Sequence, residues 1–198
     1  MFFNSSSHQP KIIDCGANIG ASVLFFKKLY PSSQIIAVEP NPVIFRLLEK
    51  NIKDNNLTNI TLFNCCLSNK EGFEDFFFEN ESTNNLSGSI YETRGNEFQV
   101  KVKSIKLSSI MKDELFDLIK IDVEGAERQI FQDLVENDKI KLSDSYFIEY
   151  HHHSNMENVF SEMISFFETK GFKFNLRSVF KKPTSFQDIL IFFHKKII

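Results

Sequence analysis

The sequence predicts an α/β fold on an open, mostly parallel, doubly wound sheet. Three observations point there. Short apolar runs alternate with amphipathic helical stretches along the chain. The run Asp14-Cys15-Gly16-Ala17-Asn18-Ile19-Gly20 sits between an apolar strand and a helix, the arrangement by which such sheets cradle a nucleotide-like cofactor. Glu39 ends the second apolar run, 19 residues beyond Gly20, where a carboxylate can accept both hydroxyls of a ribose.

Residues 11–13 read as a buried strand and 19–30 as the helix that follows it. Gly16 allows a sharp turn and lets a ligand lie against bare backbone. Gly20 lets the helix pack close to the sheet. Asn18 tolerates left-handed backbone angles and is a good helix cap. The spacing is Gly-x-Asn-x-Gly rather than Gly-x-Gly-x-x-Gly. It argues against a nicotinamide cofactor and for S-adenosylmethionine, whose amino and carboxylate groups fit a tighter loop. Asp14, Gly16, Asn18 and Gly20 are therefore candidate cofactor residues.

Pro31-Ser32-Ser33 stops the helix, and residues 34–38 (QIIAV) form a second strand too apolar to face water on either side. Glu39-Pro40-Asn41-Pro42 follows. Asn41 can cap the helix that Pro42 begins, which offers Glu39 a second role as a helix N-terminal acid. Glu39, Pro40 and Asn41 join the cofactor set. Residues 43–55 are an amphipathic helix, with Val43, Leu47, Leu48 and Ile52 on one face. Residues 60–64 are a third strand, and the loop after it places Cys66 and Leu67 beside an adenine.

Residues 73–79 and 98–105 are strand-like, the second alternating cleanly between apolar and polar positions. The polar stretch 80–96 between them reads as the loop of an inserted hairpin that covers the active site. Residues 116–121 (FDLIKI) are the fourth core strand, running into Asp122-Val123-Glu124-Gly125-Ala126-Glu127 and a helix to about residue 137. Alternation puts Leu118, Lys120 and Asp122 on one face. A lysine in a strand buried on both faces needs a counter-charge, and Asp122 and Glu149 are the acids at hand. Residues 146–150 are the fifth core strand, with Phe147, Glu149 and His151 on one face. Lys120, Asp122, Glu124, Glu149 and His151 thus converge at the carboxyl ends of adjacent strands, where open α/β sheets place their sites. Glu127 reads as a helix-capping acid.

Of His151-His152-His153, at most His151 and His153 can share an ion, because neighbours on an extended chain alternate sides. One functional histidine in a solvated loop is the better reading, with no metal. Residues 156–170 form a helix closed by Gly171. Residues 172–176 and 186–193 make an antiparallel pair around Lys181-Lys182-Pro183 and complete a seven-stranded sheet.

Composition sets the bounds. At 198 residues and 42% hydrophobic content, the chain reads as one globular domain over 11–198, preceded by a loosely ordered polar segment over 1–10. A net charge of −3 gives no electrostatic case for nucleic acid or an anionic membrane. Cys15, Cys65 and Cys66 contain no C-x-x-C pair and read as reduced thiols of a cytoplasmic protein. The first ten residues lack the apolar core of a signal peptide, and no apolar run approaches the ~18 residues of a membrane span.

With these pieces in place, the sequence resembles the FkbM family of S-adenosylmethionine-dependent methyltransferases. The matching runs are Ile13 to Gly20, Ala37-Val38-Glu39-Pro40-Asn41-Pro42, Cys66 to Gly72, Leu118 to Glu127, and Ile148-Glu149-Tyr150-His151. Lys120-Ile121-Asp122-Val123-Glu124-Gly125 is the family-specific run; the glycine loop is shared with many methyltransferases. Cys66 stands where alanine is usual. The chain opens almost at its first strand, whereas family members often carry N-terminal helices over the pocket. The resemblance implies a Rossmann-like class I methyltransferase fold with an antiparallel C-terminal strand. It also implies methyl transfer to a hydroxyl of a sugar or other small molecule or glycan. Asp122, Glu149 or His151 is then the expected proton acceptor, with Lys120 orienting the carboxylates. Two other readings stay open: a Mg²⁺ ion held by Asp122, Glu124 and Glu149 to grip a diol, and a binding module that has lost turnover. The Asn-Pro-Pro-aromatic run common to base-amino methyltransferases is absent. A second copy of the chain is a candidate cover for an exposed edge or the pocket.

Overall fold

A computed structural model of the 198-residue chain describes residues 3, 5–78, 88–90, 98–152, 159–178 and 187–195. Its centre is β1 (Lys11–Cys15), flanked by β2 (Gln34–Val38) and β8 (Leu118–Ile121). β3 (Ile60–Phe63) lies beyond β2, and β9 (Ser145–His152) beyond β8. All four of these pairings are parallel. β11 (Gln187–His194) adds antiparallel to β9, and β10 (Lys173–Ser178) antiparallel to β11. The order β10-β11-β9-β8-β1-β2-β3 is the expected seven-stranded sheet, its one reversed strand contributed by the C-terminal pair.

Both sheet faces are buried, as apolar parallel strands require. Ile12, Ile35 and Leu118 pack with Val23 and Phe26 of α1 (Ala21–Leu29) and Leu48 of α2 (Pro42–Asp54). Ile13, Ile119 and Ile148 pack on the other face. There they meet Leu107 and Met111 of α3 (Leu107–Met111), Ile130 and Leu134 of α4 (Glu127–Glu136), and Met163 and Phe167 of α5 (Phe160–Thr169). Alternate residues of one strand therefore serve opposite layers.

The insertion is larger than a hairpin. β5 (Gly72–Phe78) and β7 (Phe98–Ile105) pair antiparallel as expected. They are joined by β4 (Cys66–Leu67), parallel to β7, and β6 (Gly88–Ser89), antiparallel to β5. This second sheet has the order β4-β7-β5-β6. Cys66 and Leu67, read from the sequence as loop, are thereby tied to the insertion.

Helix α1 starts two residues later than expected, because Asn18 (φ 51°) and Gly20 (φ 92°) both hold left-handed angles that a helix cannot contain. Within the first ten residues, Phe3 is buried against Phe26 and Tyr30, and the Ser5 hydroxyl donates to Asp117 at 2.7 Å. Apolar contact thus holds Phe3, and a hydrogen bond holds Ser5. The expected helix start at 156, His153, the 181–183 turn and most of the 80–96 loop lie outside the described residues. No helix among the described residues is long and apolar enough to cross a membrane.

Candidate active site

Strand order reverses between β1 and β8, since the chain leaves β1 for β2 and β3 and returns on the other side of it. Open α/β sheets bind ligands at that crevice. A cleft open to solvent lies there. Gly16 and Asn18 line it from the end of β1, and Glu39, Pro40 and Asn41 from the end of β2. Cys66 and Leu67 line it from β4, Phe76 and Ile90 from the inserted sheet, and Asp122 and Glu124 from the end of β8.

Gly16 holds φ 78°, and a Cβ there would fall 1.8 Å from the Asp122 carbonyl oxygen. The residue is glycine because β1 and β8 converge behind it as well as because the chain turns. A Cβ on Gly20 would meet Leu48 Cδ1 at 2.7 Å, so this glycine brings α1 close to α2 rather than to the sheet. Gly20 is not part of the pocket lining. Asn18 holds the left-handed angle that its residue type permits, but α1 has no side-chain cap. Asn41 does cap α2, its side-chain oxygen accepting from Val43 N at 2.9 Å and Ile44 N at 3.4 Å.

Glu39 is 7% exposed. Its Oε2 accepts from Asn18 N at 3.0 Å and its Oε1 from Asn41 N at 2.8 Å. Burial pushes its carboxyl up to about 7, against the opposing pull of those two amides. Each oxygen keeps a further lone pair for a hydroxyl donor. Leu67, Phe76 and Ile90 supply apolar walls of the kind a flat base needs. These residues fit an adenosine with its ribose against Glu39. Burial pushes the Cys65 thiol up to about 12 and that of Cys66 to about 11, so neither is a thiolate nucleophile at neutral pH.

Asp14 lies behind the loop, fully buried and absent from the lining. Its Oδ1 is 3.1 Å from Lys120 Nζ, and its Oδ2 accepts from the Ser22 hydroxyl. The second acid on Lys120 is Asp122 at 3.3 Å, and Lys120 also donates to the Gly16 carbonyl at 3.2 Å. Burial works against the Lys120 charge, but Asp14 and Asp122 outweigh it and hold the ammonium well above its ordinary pKa. Glu149, the other counter-ion expected for Lys120, instead faces His151.

Asp122, Glu149 and His151 each bring a ligand-type atom within 4.8 Å of the other two, so the convergence read from strand alternation is present. This trio includes His151 in place of the Glu124 of the oxygen-only set. His151 Nδ1 is 2.8 Å from Glu127 Oε1, while Nε2 lies 3.5 Å from Glu124 and 3.8 Å from Glu149. Burial alone would drive the ring neutral, but Glu127, Glu124 and Asp122 together raise it to about 9. Glu127 is more than a helix acid: its Oε1 also accepts from Gly125 N at 3.1 Å and Val123 N at 3.4 Å. Nothing in its local sequence marks the contact with His151, which lies 24 residues on. From the inserted sheet, the Ser89 hydroxyl donates to the Glu124 carbonyl at 2.7 Å, and Glu124 itself holds φ 56°.

Residues 14–174 match the family described as the Methyltransferase FkbM domain. The chain is 31% identical over 158 residues to Methyltransferase sdnD of Sordaria araneosa, covering 64% of this chain and 61% of that one. It is 29% identical over 155 residues to 2-O-methyltransferase NoeI of Sinorhizobium fredii, covering 70% and 61%. The chain thus spans about three-fifths of the length of these relatives. Among solved structures, the methyltransferase FkbM of Methylobacillus flagellatus aligns with a TM-score of 0.61 at 15% identity, over 96% of this chain and 45% of that one. TYW2 of M. jannaschii, solved in complex with AdoMet, aligns with a TM-score of 0.51 at 14% identity, over 96% of this chain and 70% of that one. These alignments place the fold among Rossmann-like class I methyltransferases, and the chain belongs to the FkbM methyltransferase domain family.

Proposed function

We propose that the chain binds S-adenosylmethionine and methylates a hydroxyl of a sugar or other small-molecule or glycan acceptor. The observation that carries this reading is the adjacency of two sites: a cleft with a buried, amide-held Glu39, and the partly exposed carboxylates of Asp122 and Glu149 at neighbouring strand ends. The first suits a nucleoside; the second suits proton removal from a neutral hydroxyl. The FkbM domain and the similarity to a 2-O-methyltransferase support the same chemistry.

Bound S-adenosylmethionine would supply a methyl group already activated on a sulfonium. The chain then has two tasks, to align the acceptor and to take its proton. Glu39 would accept from the ribose hydroxyls, Asn18 and Asn41 would hold Glu39 in place, and Leu67 and Phe76 would flank the base. Asp122 and Glu149, with side chains each 30% exposed, stand where an acceptor hydroxyl can reach them. His151, at 3%, stands behind them. Lys120 orients Asp122 through their 3.3 Å contact.

The test is calorimetry with S-adenosylhomocysteine, followed by methyl transfer from labelled S-adenosylmethionine to a panel of sugars and polyols. Binding is expected, with turnover that survives EDTA. Asp122→Asn and Glu149→Gln should bind cofactor and lose turnover. Tight NAD binding without S-adenosylhomocysteine binding would overturn the cofactor assignment. Full turnover in both variants would overturn the base assignment, and turnover abolished by EDTA would establish the Mg²⁺ route instead.

A further inference from the structure

Glu127 is the buried partner in a chain of charges that runs from α4 to the candidate active site. Its side chain is 2% exposed and that of His151 3%, with the 2.8 Å contact between them closed to water. Beyond the ring, on the Nε2 side, stand Glu124 and Glu149, 28% and 30% exposed. The order from interior to surface is therefore carboxylate, imidazole, carboxylates. Glu127 is itself held, because Oε1 also takes the amides of Gly125 and Val123. It cannot swing away without freeing two backbone donors in the turn that carries Asp122 and Glu124.

We propose that Glu127 is a positioning residue that acts through His151, holding the buried ring by its Nδ1 with the Nε2 edge toward the more exposed surface carboxylates, so that proton acceptance falls to Glu149 rather than to the histidine. The inference rests on the methyl-transfer reading above for the role of Glu149. The pairing itself does not depend on that reading. Among the described residues, the charged groups that face the ring include Glu127 from α4, Glu124 and Asp122 from the turn after β8, and Glu149 from β9 itself. Each of these four is an acid, so each favours the imidazolium. Glu127 is the nearest and the most deeply buried.

A free histidine would compete with Glu149 for the acceptor proton. A ring clamped as a cation cannot, since it has no free lone pair. It instead presents a positive charge beside Glu149, which orients that carboxylate. Such an arrangement separates two candidate bases by environment, as paired titratable groups in active sites do.

The test is a nuclear magnetic resonance pH titration of the His151 ring in the full chain, with His151→Gln to assign the signal and Glu127→Gln as the probe. Glutamine keeps the amide-accepting oxygen but removes the charge. The wild-type ring should stay cationic through neutral pH and titrate at about 9. In Glu127→Gln it should titrate at least about tenfold more readily, one pH unit or more toward the ordinary value of about 6.5. A wild-type ring that is neutral at pH 7 overturns the proposal whether or not the variant folds. So does a folded Glu127→Gln ring that titrates where the wild type does. S-adenosylhomocysteine binding, measured on the same samples, reports separately on the cofactor reading. Its absence with an intact titration would sink that reading and leave the Glu127–His151 pairing standing.

Discussion

Asp14 and Lys120 are register partners across β1 and β8, and the same pairing sets their side chains 3.1 Å apart inside the sheet. One is the residue that opens the glycine loop; the other lies two residues before Asp122. The ion pair thus joins the cofactor loop to the strand that carries the candidate chemistry. It has little access to solvent, Asp14 being fully buried and the Lys120 side chain 12% exposed.

Breaking that pair from one side should be costly. Lys120→Met leaves the Asp14 carboxylate buried without its cation, which typically costs about 3–5 kcal/mol. Urea denaturation should show the loss as a lower midpoint. Asp14→Asn in the Lys120→Met background should recover part of it, because the stranded charge is gone. An unchanged midpoint in Lys120→Met would show that the pair does not hold the two strands.

Glu39 gives cofactor binding a pH dependence of known sign. Its folded carboxyl is raised from 4.5 to about 7, and ribose hydroxyls donate best to the ionised form. S-adenosylhomocysteine affinity should therefore rise with pH up to about 7 and level off above it, with proton release on binding below that point. Stability runs the other way. A raised folded pKa means that the folded chain keeps the proton longer, so this group's contribution to stability falls as pH rises from 4.5 to about 7. Glu39→Gln should abolish the pH dependence of binding. It should also weaken affinity roughly 10- to 100-fold, the worth of a charged hydrogen bond. Calorimetry across pH 5.5 to 8 reads both effects.

Gly16→Ala tests the convergence of β1 and β8. A left-handed angle on a non-glycine residue costs about 1–2 kcal/mol alone. The added Cβ also meets the Asp122 carbonyl at 1.8 Å, so the neighbouring strand end must move. Thermal denaturation should show destabilisation beyond the strain alone, and S-adenosylhomocysteine binding should fall with it. A variant as stable as the wild type would mean that the loop relaxes freely there.

Much of this architecture was legible in the sequence because it depends on local signals. Apolar runs in 34–38 and 116–121 marked the strands observed as β2 and, from Leu118, β8. Asn41 before Pro42 announced a capped helix, and Asn18 announced a left-handed turn. Gly16 and Glu39, singled out by the loop and its spacing, both line the cleft at the switch point. Alternation along β8 and β9 brought Asp122, Glu149 and His151 to one place. Cys66 and Leu67, expected near the site from their position after the third strand, line the cleft.

Other features depend on which distant segments meet, and no local pattern encodes that. Lys120 needed an acid, and alternation offered Asp122 and Glu149. The register between β1 and β8 supplied Asp14, more than a hundred residues away in the chain. Glu127 looked like an ordinary first-turn acid until the packing of α4 beside β9 set it against His151. Phe76 and Ile90 became pocket walls because β4 pairs with β7 and carries the whole insertion onto the cleft. Periodicity and turn chemistry thus specify elements and the end of the sheet where the site lies. Pairing register and helix docking specify which charge neutralises which, and so decide whether a histidine at the site is a base or a clamped cation.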